Sequence, residues 1–536
     1  MKGSRRFPIE SSLALVITAA SIGLLWMFVT HAPTLWRDEV SSVHTQQAPT
    51  LVEMWRRAEF ESFPLLWMLL LRGWLAVGGG ASDVTLRLFG LIGPAALLGG
   101  MWFAAVRLGR AAPLVSLALV VMNPDIFRWS ATLRPWGLGA GLALATAAVL
   151  WDLTRAPSAR RIGIAALMAL LSVHCLYQNS VFLAASIAAV MAVCLTRRDW
   201  RTAAIAAGIG VVCALTLFPY TNMIRRRADW NALGMGPLTF GDLASRLSSV
   251  LAAPGIVAWL AWTALMIAML VCAVWSVRLR RRTSPADDRS GVALYAIVLI
   301  VTALAGVFVL YRQLRYPTQA WYYLGLIAMT SVVAEAGVRA VAPARVVRPV
   351  LMVSAAVLCV ASAAGAWRWM QQRQTNLDVI ASRLEAEAGA SDLVLVSPWF
   401  FGVTLSRYYH GPATVMTIPP VADRTISRYD LLKQQMLSAD AMKPLRLAID
   451  RTLSTGHRVW IAGGLLTPPP GTPIPDSLPP PPLPDTEWNS LPYELVWSHQ
   501  IGQWLLARAQ NCHGIDPGVP GHPLEHASLV ECSGWR

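Results

Sequence analysis

Hydrophobic residues in this chain collect in long unbroken runs, and the polar residues between them fall in short clusters. Runs of membrane-spanning length lie at 11–30, 85–106, 111–127, 134–151, 162–177, 180–196, 202–219, 251–277, 291–311, 320–338 and 348–367. About 20 apolar residues are needed to cross a bilayer as a helix, so the pattern predicts eleven crossings. The stretch 63–77 is shorter, carries Arg72 and ends in a glycine run, which fits an interfacial or re-entrant helix. After Trp369 the pattern changes: 391–396 and 458–462 read as buried strands, with helices near 424–438 and 443–454. Residues 468–484 are proline-rich and are expected to be extended, and 493–499 followed by 504–508 reads as a hairpin. The predicted architecture is a polytopic all-α membrane bundle of about 11 helices plus interfacial helices over 1–369, with a soluble α/β domain over 370–536.

Composition agrees: 55% of the 536 residues are hydrophobic and 14% are charged. The net charge of +15 does not point to nucleic acid, because the arginines sit in the short loops between apolar runs. If 63–77 does not cross, Lys2/Arg5/Arg6, Arg107/Arg110, Arg155/Arg160/Arg161, Arg197/Arg198/Arg201, Arg278/Arg280/Arg281/Arg282 and Arg339/Arg345/Arg348 all share one side. The positive-inside rule makes that side cytoplasmic, with the N-terminus inside, a retained first helix and an exported C-terminal domain in the cell (inner) membrane. Five cysteines lie within apolar runs, whereas Cys512 and Cys532 lie in the polar C-terminal region. In an oxidising compartment those two are each other's available partners, which predicts a disulfide.

The outer loops defined by this topology gather Asp38, Glu39, Asp125, Arg128, Arg134, Arg225, Arg226, Arg227, Arg246, Arg312 and Arg315. A carboxylate at the membrane exit can ionise and take a proton from a hydroxyl, while arginine's planar fork suits a phosphate. The combination suits transfer of a group from an anionic lipid. The bland readings are a solvated acidic pair, snorkelling or headgroup-anchoring arginines and an aromatic belt for the 23 tryptophans. Glu335 reads as a local pair with Arg339.

Trp36-Arg37-Asp38-Glu39, directly after the first span, resembles the acidic motif of the GT-C glycosyltransferases, especially bacterial members similar to protein O-mannosyltransferases and lipid A aminoarabinose transferases. The resemblance covers roughly 11–340 and extends to Phe63-Pro64-Leu65-Leu66-Trp67, to 82–89 and to Ala131-Thr132-Leu133-Arg134-Pro135-Trp136-Gly137. A histidine usual near position 62 and a tyrosine usual at position 136 are replaced here. The resemblance implies transfer of a sugar from a polyprenyl-phosphate donor to a lipid, glycan or protein acceptor outside the membrane. In that reading Asp38 is the catalytic base, and Glu39 positions it or shares a divalent cation with it. Arg134, Arg312 and Arg315 hold the donor phosphate, and His174, Tyr177 and Trp136 contact substrate. No other cofactor is implied. The rival readings are a flippase or transporter of a lipid-linked sugar and a non-catalytic relative. A transporter is expected to carry mid-membrane charge and an internal repeat, neither of which the sequence displays.

Overall fold

A computed structural model describes residues 9–234, 236–280, 288–465, 478–482 and 488–536. Most of the proline-rich stretch 468–484 and the cluster Lys2/Arg5/Arg6 lie outside the described residues, as do the side chains of Arg278 and Arg280–Arg282. The chain forms two compact units. A helical unit comprises Met1–Thr30, Phe63–Thr221 and Pro237–Gln371, and an α/β unit comprises His31–Ser62, Asn222–Gly236 and Gln372–Arg536.

Among the described residues, nine helices have the length and apolarity of membrane spans: Ile9–His31, Asp83–Gly109, Trp136–Leu153, Asn179–Arg197, Trp200–Arg227, Ile256–Trp275, Arg289–Leu314, Ala320–Val341 and Ala344–Gln371. The protein is therefore a multi-pass membrane protein. Two of the eleven expected spans take other forms. The run 111–127 breaks at Asn123-Pro124 into the helices Val115–Val121 and Pro124–Ser130, because Asn123 caps the second helix and Pro124 occupies its first turn. Every residue of Val115–Val121 is buried, so the interrupted backbone is packed in protein and not in lipid. The run 162–177 becomes Ala159–Cys175, whose 17 residues extend about 26 Å at 1.5 Å per residue. The stretch 63–77 contains the 12-residue helix Leu65–Ala76.

Arginine clusters at the helix ends are tied together. Glu10 binds Arg339 at 2.8 Å and Arg348 at 3.2 Å, Arg107 pairs with Asp152 at 2.5 Å, and Arg197 donates to the Thr154 carbonyl at 2.9 Å. Glu335 pairs with Arg339 at 3.1 Å as expected, and it also accepts the N–H groups of Leu114 and Ser116 and the Ser116 hydroxyl. At the opposite end of the Ala344–Gln371 helix, Arg128 donates to the Trp369 carbonyl at 3.2 Å. Two glycine faces bring Ile92–Gly109 against Trp136–Leu153. A Cβ on Gly137 would lie 2.6 Å from the Gly93 carbonyl carbon, and one on Gly141 2.2 Å from the Ala96 carbonyl oxygen. This small-residue packing fixes the segment holding Arg134 and Trp136.

The α/β unit contains one five-stranded sheet of β1 (Leu393–Ser397), β2 (Thr414–Thr417), β3 (Val459–Gly463), β4 (Ala509–Ile515) and β5 (Leu529–Trp535), in the order β2-β1-β3-β5-β4. The first three strands are parallel, and β5 is antiparallel to both β3 and β4. Strand β1 is buried throughout because its alternate residues enter two cores. Leu393 and Leu395 pack with Ile449, Ile461 and Trp497, while Val394 and Val396 pack with Leu377, Leu405 and Trp460. Cys512 and Cys532 are directly paired across β4 and β5 and form a disulfide.

One expected element is overturned. Residues 493–508 form no hairpin; they lie in the helix Leu491–Arg508. Tyr493, Val496, Trp497, Ile501 and Leu505 repeat at helical spacing and bury one face, and Pro492 sits in the first turn. The hairpin of this region is instead β4–β5.

Candidate active site

In the α/β unit, the motif Trp36-Arg37-Asp38-Glu39 opens the helix Arg37–Gln46. Trp36 is the N-cap, and Glu39 at N3 turns back so that its Oε2 accepts the Trp36 N–H at 3.2 Å, one half of a capping box. Glu39 is fully buried by this role, whereas the Asp38 side chain keeps 29% of its surface and lies 3.5 Å from the Arg37 guanidinium. Successive residues on a helix point about 100° apart, so the adjacent carboxylates do not act as a converging pair. Asp38 sits in the first turn, where the helix dipole favours its negative charge.

The rest of this loop is gripped by the C-terminal sequence of the same unit. Arg37 lies over the Phe400 ring at 4.1 Å, and its backbone N–H donates to both carboxyl oxygens of Glu525, at 3.2 and 3.3 Å. Thr404 donates its hydroxyl to Glu525 Oε1 at 2.7 Å, and the Leu35 N–H donates to Tyr408 Oη at 2.7 Å. Further along, Ser42 donates to Glu61 at 2.9 Å. Burial pushes the Glu525 carboxyl up to about 8; the Thr404 hydroxyl and the charge and N–H of Arg37 oppose the rise, and the charge of Asp38 adds to it. Burial and then the Arg407 charge lower His44 below the usual histidine range.

The helical unit holds the other candidates. Arg134 is buried with its guanidinium 4.7 Å from the Phe63 ring, and the Trp67 indole donates to the neighbouring Leu133 carbonyl at 3.0 Å. His174 uses both ring nitrogens, Nδ1 at 3.2 Å from Tyr220 Oη and Nε2 at 3.1 Å from Thr216 Oγ1, and Tyr177 meets the same Tyr220 ring edge-on at 5.7 Å. Trp136 meets Tyr322 edge-on at 5.1 Å. Gln178 and Tyr311 both donate to the Tyr322 carbonyl, at 2.9 and 2.8 Å. His174 and Tyr177 thus meet at Tyr220, while Trp136 belongs to a second aromatic cluster around Tyr322. Arg312 donates to the Leu238 carbonyl at 3.1 Å, and Arg315 takes the left-handed conformation, φ 46°, just past the helix Asp288–Leu314.

Sequence reasoning does not single out Glu525, Thr404, Tyr408 or Tyr220. Tyr322 had a signal, since it sits in the aromatic stretch Trp321-Tyr322-Tyr323. Glu39 Oε2 accepts the Trp36 N–H, and Asp38 and Glu39 are adjacent on one helix. Among the described residues, no group of three or more His, Cys, Asp or Glu side chains is gathered to hold a metal.

No family model and no curated protein matches the chain. Solved structures do. ArnT from Cupriavidus metallidurans bound to undecaprenyl phosphate superimposes with a TM-score of 0.51 at 13% identity, over 84% of this chain and 92% of that one. The apo state of the same protein gives 0.50 at 13% identity, over 85% and 93%. The chain has the GT-C fold.

Proposed function

We propose that the protein is an integral membrane glycosyltransferase that moves a sugar from a polyprenyl-phosphate donor to a hydroxyl of a lipid, glycan or protein acceptor. The GT-C fold supports this reading, as does the undecaprenyl phosphate bound to ArnT. The observation that carries it is Asp38: a partly open carboxylate in the first turn of a helix, beside an arginine, in the first loop after the first span. In this reading the acceptor oxygen attacks the anomeric carbon while Asp38 takes the hydroxyl proton, a contribution of about 10²–10⁴ in rate. The bond from sugar to phosphate oxygen breaks, and the phosphate leaves with the electron pair. Arg134 stabilises the charge that builds there, where a buried guanidinium acts more strongly than one in water. Arg312 and Arg315 assist at the phosphate, and His174, Tyr177 and Trp136 line the substrate region. No step is routed through a metal.

The same reading places the protein in the plasma (inner) membrane with its N-terminus cytoplasmic and its α/β unit outside. The test uses membranes supplied with labelled polyprenyl-phosphate sugar. Asp38→Asn is expected to cut turnover at least a hundredfold while the protein stays folded, and wild-type turnover would remove Asp38 from the mechanism. Arg134→Ala is expected to weaken donor use more than acceptor use. A cysteine introduced as Ile515→Cys is expected to react with an impermeant reagent added from outside, and protection in intact cells would reverse the topology.

A further inference from the structure

We propose that Glu525 is a positioning residue for the acidic loop: its carboxyl group holds the first N–H of the helix carrying Asp38, and its charge state sets the transfer rate. This rests on the reading of Asp38 as the base.

Glu525 reaches the loop from 488 positions further along the chain, at the end of the short turn Pro523–Glu525, and none of its surface is exposed. Its carboxyl oxygens meet the Arg37 N–H twice and the Thr404 hydroxyl once, contacts that favour the charged form against burial. A side chain needed only to satisfy one N–H and one hydroxyl does not have to be an acid, and a buried acid is costly. Here the acid sits beside Asp38, close enough for the two charges to be felt. The groups facing it are Arg37 and Asp38 from the Arg37–Gln46 helix and Thr404 from the Phe401–Tyr408 helix. Glu494 of the Leu491–Arg508 helix faces Arg37. On its own turn, His522 and His526 use Nδ1 to accept the Leu524 and Gly521 N–H groups.

Burial holds the Glu525 proton up to about pH 8, so the residue changes charge within the range in which a membrane enzyme is assayed. When it ionises, it grips the Arg37 N–H more firmly and repels the Asp38 carboxylate. A proton delivered from the acceptor to Asp38 relieves that repulsion, so transfer is faster with Glu525 charged. The folded-state value lies above the unfolded one. Its contribution to stability is therefore complete below about pH 4.5 and disappears as the pH rises through about 8.

The experiment measures kcat and donor KM of the full-length protein in proteoliposomes from pH 6 to 9, together with thermal unfolding across the same range. Wild-type kcat is expected to rise through a midpoint near 8 with little change in KM. Glu525→Gln is expected to lose that rise, falling about tenfold below wild type at the alkaline end, and to lose the alkaline decline in unfolding temperature. Thr404→Val removes a donor that favours the charged form, so it is expected to move the midpoint to higher pH; this variant carries the test if Glu525→Gln does not accumulate. A wild-type pH profile in Glu525→Gln, or an unmoved midpoint in Thr404→Val, overturns the proposal. Both outcomes are separate from an active Asp38→Asn, which overturns the transfer reading itself.

Discussion

Glu10 and Glu335 of the helical unit and Asp38 and Glu525 of the α/β unit are handled in opposite ways. In the helical unit, Glu10 and Glu335 share Arg339 at 2.8 and 3.1 Å, and the Glu335 side chain keeps only 3% of its surface. In the α/β unit, Asp38 stays partly open at 3.5 Å from its arginine, and Glu525 is buried against neutral donors. The first arrangement neutralises charge where water cannot; its product is a fixed set of helix ends. The second leaves charge adjustable, which is what proton transfer requires. Counting acids does not separate the two, whereas the identity of each acid's partners does.

The comparison breaks most visibly if Glu335 and Asp38 respond alike. Glu335→Ala leaves Arg339 with Glu10 as its remaining carboxylate and the Leu114 and Ser116 N–H groups without this acceptor, so a loss of roughly 3 kcal/mol is expected. It is read as collapse of folded protein in detergent. Asp38→Asn is expected to unfold within about 0.5 kcal/mol of wild type while losing transfer. Equal instability of the two variants would erase the distinction.

The disulfide sharpens the contrast within the α/β unit. It closes a loop with a sequence separation of 20, and replacing Cys512 and Cys532 by Ser is expected to cost about 3 kcal/mol. The loss should appear in the transition of the α/β unit, followed by the near-ultraviolet signal of its buried Trp399, Trp460 and Trp497. Reductant should reproduce it in the wild-type protein and do nothing further to the double variant.

How far the sequence foretold these features depends on the range of the contacts that make them. The bundle was legible because a bilayer imposes its own length on apolar runs, and β1 and β3 because strands buried on both faces read as continuous apolar runs. Strand β4 was not legible: its central residues are exposed and polar, and its pairing comes from β5. The helix Leu491–Arg508 was misread because its alternating polar residues suit a strand locally, and only the packed face of Trp497, Ile501 and Leu505 decides for helix. Asp38 stood out through its position after the first span. Glu525 could not, since an acid becomes significant here only by being buried against a helix start 488 positions away.

Asp392 supplies a control of opposite sign to Glu525. Burial opposes its charge, but the N–H groups of Arg458 and Gly389, the Trp460 indole and the Arg458 guanidinium outweigh it and hold the carboxyl below the usual range. A lowered folded-state value gives stability that is present above the unfolded value of about 4 and lost as the pH falls through the folded one. Asp392→Asn is therefore expected to cost about 2 kcal/mol near neutrality, the scale of hydrogen bonds to a charged group, and to flatten the acid limb of the unfolding curve. The Glu525→Gln variant flattens the alkaline limb. Matching limbs in the two variants would show that the two acids are not distinguished by their partners.

The smallest effect expected is at Tyr408. Its hydroxyl accepts the Leu35 N–H at 2.7 Å, one residue before the N-cap of the helix bearing Asp38. Tyr408→Phe removes that bond and a longer one, 3.5 Å, from the hydroxyl to the Leu35 carbonyl, and leaves the ring packed, so a cost of about 1 kcal/mol is expected. Because Leu35 leads directly into Trp36, whose N–H Glu39 accepts, the loosening reaches Asp38 by the backbone and not by charge. Turnover should therefore fall a few-fold at every pH, with the midpoint near 8 unmoved. A shifted midpoint in Tyr408→Phe would mean that loop geometry, and not the charge of Glu525, sets the pH dependence.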